Sequence, residues 1–162
     1  MRTPPERILS AMKTALVIVD VQNDFCPGGA LATARGDEVA SKIAELISTP
    51  DSRTREYDCV VATQDWHIDP AGHFAPEGTE PDFQETWPVH CVAGTPGAEL
   101  HENLDTEHVD ARFLKGLYSS GYSGFEGLQG DPEKVGSLEG EKGIRVEPAD
   151  AVEKDAQDLH LW

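Results

Sequence analysis

Asp65 and His67 stand two residues apart where the apolar run Val60-Val61-Ala62-Thr63 gives out, and His73 follows after Pro70 and Gly72. In extended backbone, side chains at i and i+2 leave the same face, so a carboxylate and an imidazole project together just beyond a strand's carboxyl end. The Pro70–Gly72 turn lets the chain double back and return His73 to the same spot. His90 occupies a second, aromatic-flanked turn, Trp87-Pro88-Val89-His90. Imidazoles with a carboxylate make a borderline-hard donor set that suits Zn, Fe or Mn better than Ca or Mg. An Asp-x-His pair alone is ordinarily a surface feature; with His73 and His90 added, the pattern is a candidate metal site.

The elements that must position these groups are legible as apolar runs. Thr14 to Asp20 (Thr-Ala-Leu-Val-Ile-Val-Asp) is continuously apolar before its final carboxylate, the pattern of a parallel strand buried on both faces. Asp20 is then a carboxylate at a strand's carboxyl end: a candidate catalytic base, with a turn or cap residue as the plainer alternative. Gly36 to Ser48 places Val39, Ile43, Leu46 and Ile47 at helical spacing, and Cys59 to Thr63 supplies the next strand, completing a βαβ unit. A third strand fits Val109 to Leu114 and brings Lys115 to a third carboxyl end, where a solvated lysine is the commoner fate. Open α/β sheets bind ligands at those ends. Phe74 to Glu107 is a long loop rich in Pro and Gly, a length usually reserved for function, and Gly116 to Phe125 is a glycine and aromatic loop without phosphate-cradle spacing. Phe25, in the loop after the first strand, is a candidate pocket residue.

The 162 residues suit one domain with a real core. Asp and Glu outnumber Lys and Arg 30 to 13, a formal net charge of -17, which argues against nucleic-acid and membrane-surface partners. The three cysteines, Cys26, Cys59 and Cys91, cannot all pair, and no CxxC occurs; a reducing, cytoplasmic setting is expected. No apolar run approaches the roughly 18 residues of a membrane span. The chain divides into a loose leader (1–13), an α/β domain (14–128) and a divergent acidic segment (129–162), in which Ala149 to Leu161 reads as a helix.

Five blocks occur in order: Val19-Asp20-Val21-Gln22-Asn23-Asp24-Phe25; Gln64-Asp65-Trp66-His67 with His73-Phe74; Trp87-Pro88-Val89-His90-Cys91; Phe113-Leu114-Lys115-Gly116; and Tyr122-Ser123-Gly124-Phe125. Together they resemble the nicotinamidases, the metal-containing branch of the isochorismatase-like cysteine hydrolases. The resemblance implies a doubly wound parallel sheet in the order 3-2-1-4-5-6 and hydrolysis of nicotinamide, a pyridine carboxamide, to nicotinate and ammonia, a step of NAD salvage. It implies Asp20 as general base and Lys115 as the cation that lowers the nucleophile's pKa. Asp65, His67, His73 and His90 would hold the divalent metal, and Phe25, Trp87 and Tyr122 would wall the flat ring.

The pattern then departs from the family. Its nucleophile is a cysteine after the fourth strand, in a segment like Ala-Thr-Asp-His-Cys, and no cysteine follows Cys91 here. The later strands have no counterpart, so the first strand is expected at a bare apolar edge, prone to pairing with another chain, including a second copy. This polypeptide alone is therefore expected to be inactive. The competing reading is a non-catalytic metal- or pyridine-binding remnant. A metal-free isochorismatase-type hydrolase is disfavoured by Asp65, His67 and His73.

Overall fold

A computed structural model of the chain describes residues 13–48 and 57–130. Its centre is a mixed sheet of strands β1 (Ala15–Val19), β2 (Cys59–Asp65), β3 (Ala111–Lys115) and β4 (Leu128–Gln129), in that spatial order. β1, β2 and β3 are mutually parallel, and β4 runs antiparallel to β3. The helix α1 (Gly36–Ile47) crosses from β1 to β2. This is the α/β architecture expected. The first strand is a residue shorter at each end than its apolar run, the second continues to Asp65, and the third starts two residues late and takes in Lys115. The two-residue β4 lies in a stretch too short and too mixed to carry a period. Residues 1–12 of the expected leader and the expected helix over 149–161 lie outside the described residues.

Burial explains the order of strands. β2 is central and covered on both faces: Val60 and Ala62 face one way, Val61 and Thr63 the other, and all are buried. That is the continuous apolar pattern of a parallel strand. On one face Ile18, Val60 and Ala62 pack with Val21, Ala40 and Ile47 and with Leu100 and Leu104 of the long loop. A second cluster, Trp66, Cys91, Ala93, Ala98, Leu114 and Leu117, fills the space beyond the carboxyl ends of β2 and β3. α1 contributes Ala40 and Ile47, seven residues apart on one stripe, and carries Asp37 and Glu38 in its first turn, where they complement the positive end of the helix dipole.

β1 corrects the sequence expectation. Ile18 is buried, but Val17 and Val19 are 51% and 62% exposed, so the strand is covered on one face only. The reason is position: its described partner is β2 alone, and what covers the second face over β2 does not reach it.

The long loop is tied down by main-chain bonds rather than by elements. His67 pairs with Val92 and Phe74 with Trp87 in isolated bridges. The amides of Ile68 and Asp69 both donate to the carbonyl of Leu117. Ile18 joins β1 to α1 and to Leu100, so Ile18→Ala should cost about 2–5 kcal/mol by lost transfer energy and a residual cavity. Urea unfolding checks this; a loss under about 1 kcal/mol would mean that the site is not close-packed.

Candidate active site

The register of the sheet brings the chemistry to one place. β1 ends at Val19, opposite Thr63, and β2 ends at Asp65, opposite Lys115. Asp20, with φ of 53°, sits in the left-handed region immediately after β1, and its amide donates to the carbonyl of Thr63. Strained backbone of this kind is retained where surrounding contacts over-determine it. Here the contacts are two hydrogen bonds to the side chain. Thr63 Oγ1 donates to Asp20 Oδ1 at 2.7 Å, and Lys115 Nζ lies 2.9 Å from Asp20 Oδ2.

Lys115 is 4% exposed, and its ammonium also contacts Asp65 Oδ1 at 2.5 Å. Burial alone would lower its pKa. The carboxylates of Asp65 and Asp20, and their hydrogen bonds, outweigh that and raise it, so Lys115 is a fixed positive charge. The third strand end thus meets the other two through one ammonium shared by two carboxylates.

Asp65's second oxygen faces the histidines. Oδ2 lies 3.9 Å from Nε2 of His67 and 3.9 Å from Nε2 of His90. His67, His73 and His90 are all buried, and one nitrogen from each falls within 4.8 Å of the others. Their tautomers are set by the main chain. His67 Nδ1–H donates to the carbonyl of Gly116 at 2.7 Å, and His90 Nδ1–H to that of Pro88 at 2.6 Å. The Nε2 lone pairs of both are therefore turned toward the cluster. Among the described residues His67 Nε2 and His73 Nδ1 are buried with no hydrogen-bond partner. Buried nitrogens are rarely left so, and three converging imidazoles beside a carboxylate are a donor set that fits a divalent metal.

The aromatic residues surround this cluster. Phe25 packs on His90 with ring centroids 5.6 Å apart, and Tyr122 on His73 at 5.8 Å. Trp87 joins through Nε1–H, which donates to the Tyr122 hydroxyl at 3.0 Å. All nine expected site residues are thus brought to one region: Asp20, Phe25, Asp65, His67, His73, Trp87, His90, Lys115 and Tyr122.

Other residues were not anticipated. Phe74 lies against all three histidine rings, at 5.3, 5.6 and 5.5 Å. Gln22 is fully buried; its Oε1 accepts from the Asp65 amide and its Nε2 donates to the carbonyls of Asp65 and Ala98, all at 2.8 Å. It clamps the end of β2 on both sides of the Asp65 side chain. Asp24 accepts from the amide of Cys91 at 2.7 Å and holds the His90 turn to the loop after β1. Gly116 has φ of +71°, and a Cβ there would come within 2.6 Å of the His67 ring. These positions were visible only as members of quoted blocks; Gln22, Asp24 and Gly116 each act through a partner more than 40 residues away.

Burial lowers the pKa of His67 and of His73 to about 4. Unfolded imidazoles titrate near 6.5, so between those values the unfolded chain binds more protons than the folded one. The stability that comes from keeping these rings neutral is fully present above about pH 6.5 and is lost as pH falls toward 4. Metal-free His73→Gln should therefore lose less melting temperature than the metal-free parent between pH 7 and pH 4 in calorimetry; the comparison between the two removes the opposing effect of Asp65, whose carboxyl burial raises. Equal losses in the two proteins would count against a buried, neutral His73 ring.

Comparison with known proteins agrees with this geometry. Residues 14–129 match the model of the isochorismatase domain. The nicotinamidase/pyrazinamidase of Mycobacterium tuberculosis is 52% identical over 114 residues, 70% of this chain and 58% of that protein. Among solved structures, the pyrazinamidase of Pyrococcus horikoshii in complex with zinc is 37% identical, with a TM-score of 0.52 over 71% of this chain and 59% of that one. PnC1 from L. infantum in complex with nicotinate is 34% identical, with a TM-score of 0.54 over 66% of this chain and 49% of that one. The chain spans little more than half the length of the curated relatives it matches. With its parallel strands ending in Asp20, Asp65 and Lys115, and with its relatives nicotinamidases, the chain belongs to the isochorismatase domain family.

Proposed function

We propose that this domain serves the hydrolysis of a pyridine carboxamide such as nicotinamide, and that the present chain supplies the base, the cation, the metal ligands and the ring pocket of that reaction. The observation that carries the reading is the Lys115 ammonium held between Asp20 and Asp65, directly beside three buried histidines. Relatives bound to nicotinate and to zinc support the substrate class and the metal.

In this reading His67, His73, His90 and the Oδ2 side of Asp65 hold the ion. When bound, a divalent metal supplies a Lewis-acidic anchor for the ring nitrogen of the substrate. Phe25, Trp87 and Tyr122 wall the ring and fix its plane. Asp20 is the base: Thr63 and Lys115 each hold one of its oxygens, so its direction is set before substrate arrives. Lys115 keeps the positive charge that stabilises a nearby anion. Lys115 also holds Asp65 Oδ1, which leaves Oδ2 for the metal.

Amide hydrolysis through a thioester needs a thiolate within reach of that base. The three cysteines of the chain are poorly placed to provide it. Cys91 is fully buried; burial and the carboxylates of Asp65, Asp24 and Asp20 push its thiol far up. Cys26 is raised by burial and by Asp37, and its sulfur packs against Gly36 at the start of α1. Cys59 opens β2, at the opposite end of the strand from Asp65. On this reading the polypeptide alone does not turn over.

Two outcomes follow. Purified chain incubated with nicotinamide should release no ammonia above the blank; turnover that Asp20→Ala abolishes would show that one of the three cysteines serves. Elemental analysis should find about one divalent metal per chain, lost in His67→Ala because three converging nitrogens become two. Well-folded protein that takes up no metal when zinc is offered would sink the assignment of the histidines.

A further inference from the structure

We propose that Asp82 is a positioning residue for the aromatic wall of the pocket: by closing the loop from Asp82 to Thr86 on itself, it fixes Phe83 against Trp87 and sets the plane of the indole. For what the wall contacts, this rests on the pyridine-carboxamide reading; how the wall is held follows from the loop alone. Between the end of β2 and Trp87 the chain forms no helix or strand element. The direction of Trp87 therefore depends on local bonds.

Those bonds converge on one oxygen. Asp82 Oδ1 accepts from the amides of Gln84, Glu85 and Thr86 at 3.0, 2.9 and 2.8 Å, and from the Thr86 hydroxyl at 3.1 Å. The Thr86 hydroxyl accepts in turn from the Asp82 amide at 3.1 Å, and the Phe83 amide donates to the Thr86 carbonyl at 3.0 Å. Asp82 is exposed, and a solvated carboxylate gains little from a single bond. Several donors aimed at one charged oxygen are a stronger set. Led by the Thr86 amide and then that of Gln84, they hold the Asp82 carboxyl down at about 2, so it stays an acceptor throughout the range in which the protein is folded near neutral pH.

What the closure achieves is visible at Phe83. Its φ of 56° is left-handed, an uncommon backbone for a bulky side chain. Such a conformation persists where surrounding contacts over-determine it, and the bonds to Asp82 and Thr86 are those contacts. The Phe83 ring is 55% exposed, yet it stands edge-on to Trp87 with centroids 6.0 Å apart and planes at 88°. Main-chain bonds to His73 and Ala75 fix where Trp87 sits. Its plane is fixed by Phe83 on one side and by the Nε1–H bond to the Tyr122 hydroxyl on the other. Tyr122 in turn packs on His73. A surface carboxylate that touches none of the site residues thus directs the wall beside the histidines.

The test compares Asp82→Ala with Asp82→Asn, which keeps an acceptor oxygen at the same place. Asp82 belongs to neither hydrophobic cluster, so both variants should keep the melting temperature of the parent. The indole N–H resonance of Trp87, assigned by its loss in Trp87→Phe, should move in Asp82→Ala and in Phe83→Ala and stay in place in Asp82→Asn. Nicotinate added to zinc-loaded chain should bind about fivefold more weakly to Asp82→Ala, the worth of one oriented aromatic contact, and within about twofold of the parent to Asp82→Asn. An indole resonance that Asp82→Ala leaves in place overturns the proposal. So does an Asp82→Asn variant that behaves like the alanine one, or nicotinate affinity that Asp82→Ala does not change. If the parent itself binds no nicotinate, the pyridine reading fails, and the indole resonance alone decides whether Asp82 holds the wall.

Discussion

The structure of the site depends on one ammonium group shared by two carboxylates. Lys115 is buried where neither an isolated cation nor a pair of adjacent anions is tolerable. Removing either partner of a buried ion pair typically costs about 3–5 kcal/mol, because it strands the other charge. Asp20 and Asp65 come from neighbouring strands, and Lys115 comes from a third. The pairing of β1 with β2 and of β2 with β3 must therefore hold its register for the charges to balance. A slip of one residue would turn the side chains to the opposite face and leave all three unmatched.

Next to this charged triad lie the three histidines. Burial lowers the pKa of His67 and of His73, and Phe74 gives all three rings an apolar neighbour. Asp65 is the hinge between the two: one oxygen meets the ammonium and the other faces imidazole nitrogens. Its main chain is gripped on both sides by Gln22. Positioning of this residue is thus set by hydrogen bonds from the segment after β1 rather than by the strand alone, and the loop that carries His90 is tied to that same segment by Asp24.

Much of this was legible in the residues before any coordinates. β2 reads as a strand because it is apolar throughout, and Asp20, Asp65 and Lys115 read as strand-end groups because each follows such a run. What stayed hidden depends on partners distant in the chain. Nothing local marks Thr63 as the donor to Asp20, Gln22 as a clamp or Asp24 as the tie to the His90 turn. The expectation for β1 failed differently. Its apolar composition predicts two buried faces, and composition reports what a strand is built to contact, whereas Val17 and Val19 report what covers it here.

The turn after β3 has one more consequence. The acceptor that orients His67 is a carbonyl of the main chain, on a residue whose left-handed torsion and closeness to the His67 ring leave no room for a side chain. Imidazole orientation here is inherited from a bend in the polypeptide, not from the chemistry of a neighbouring group. Such an arrangement has no polar side chain to lose at that position, and divergence can reach it only by changing the path of the chain itself.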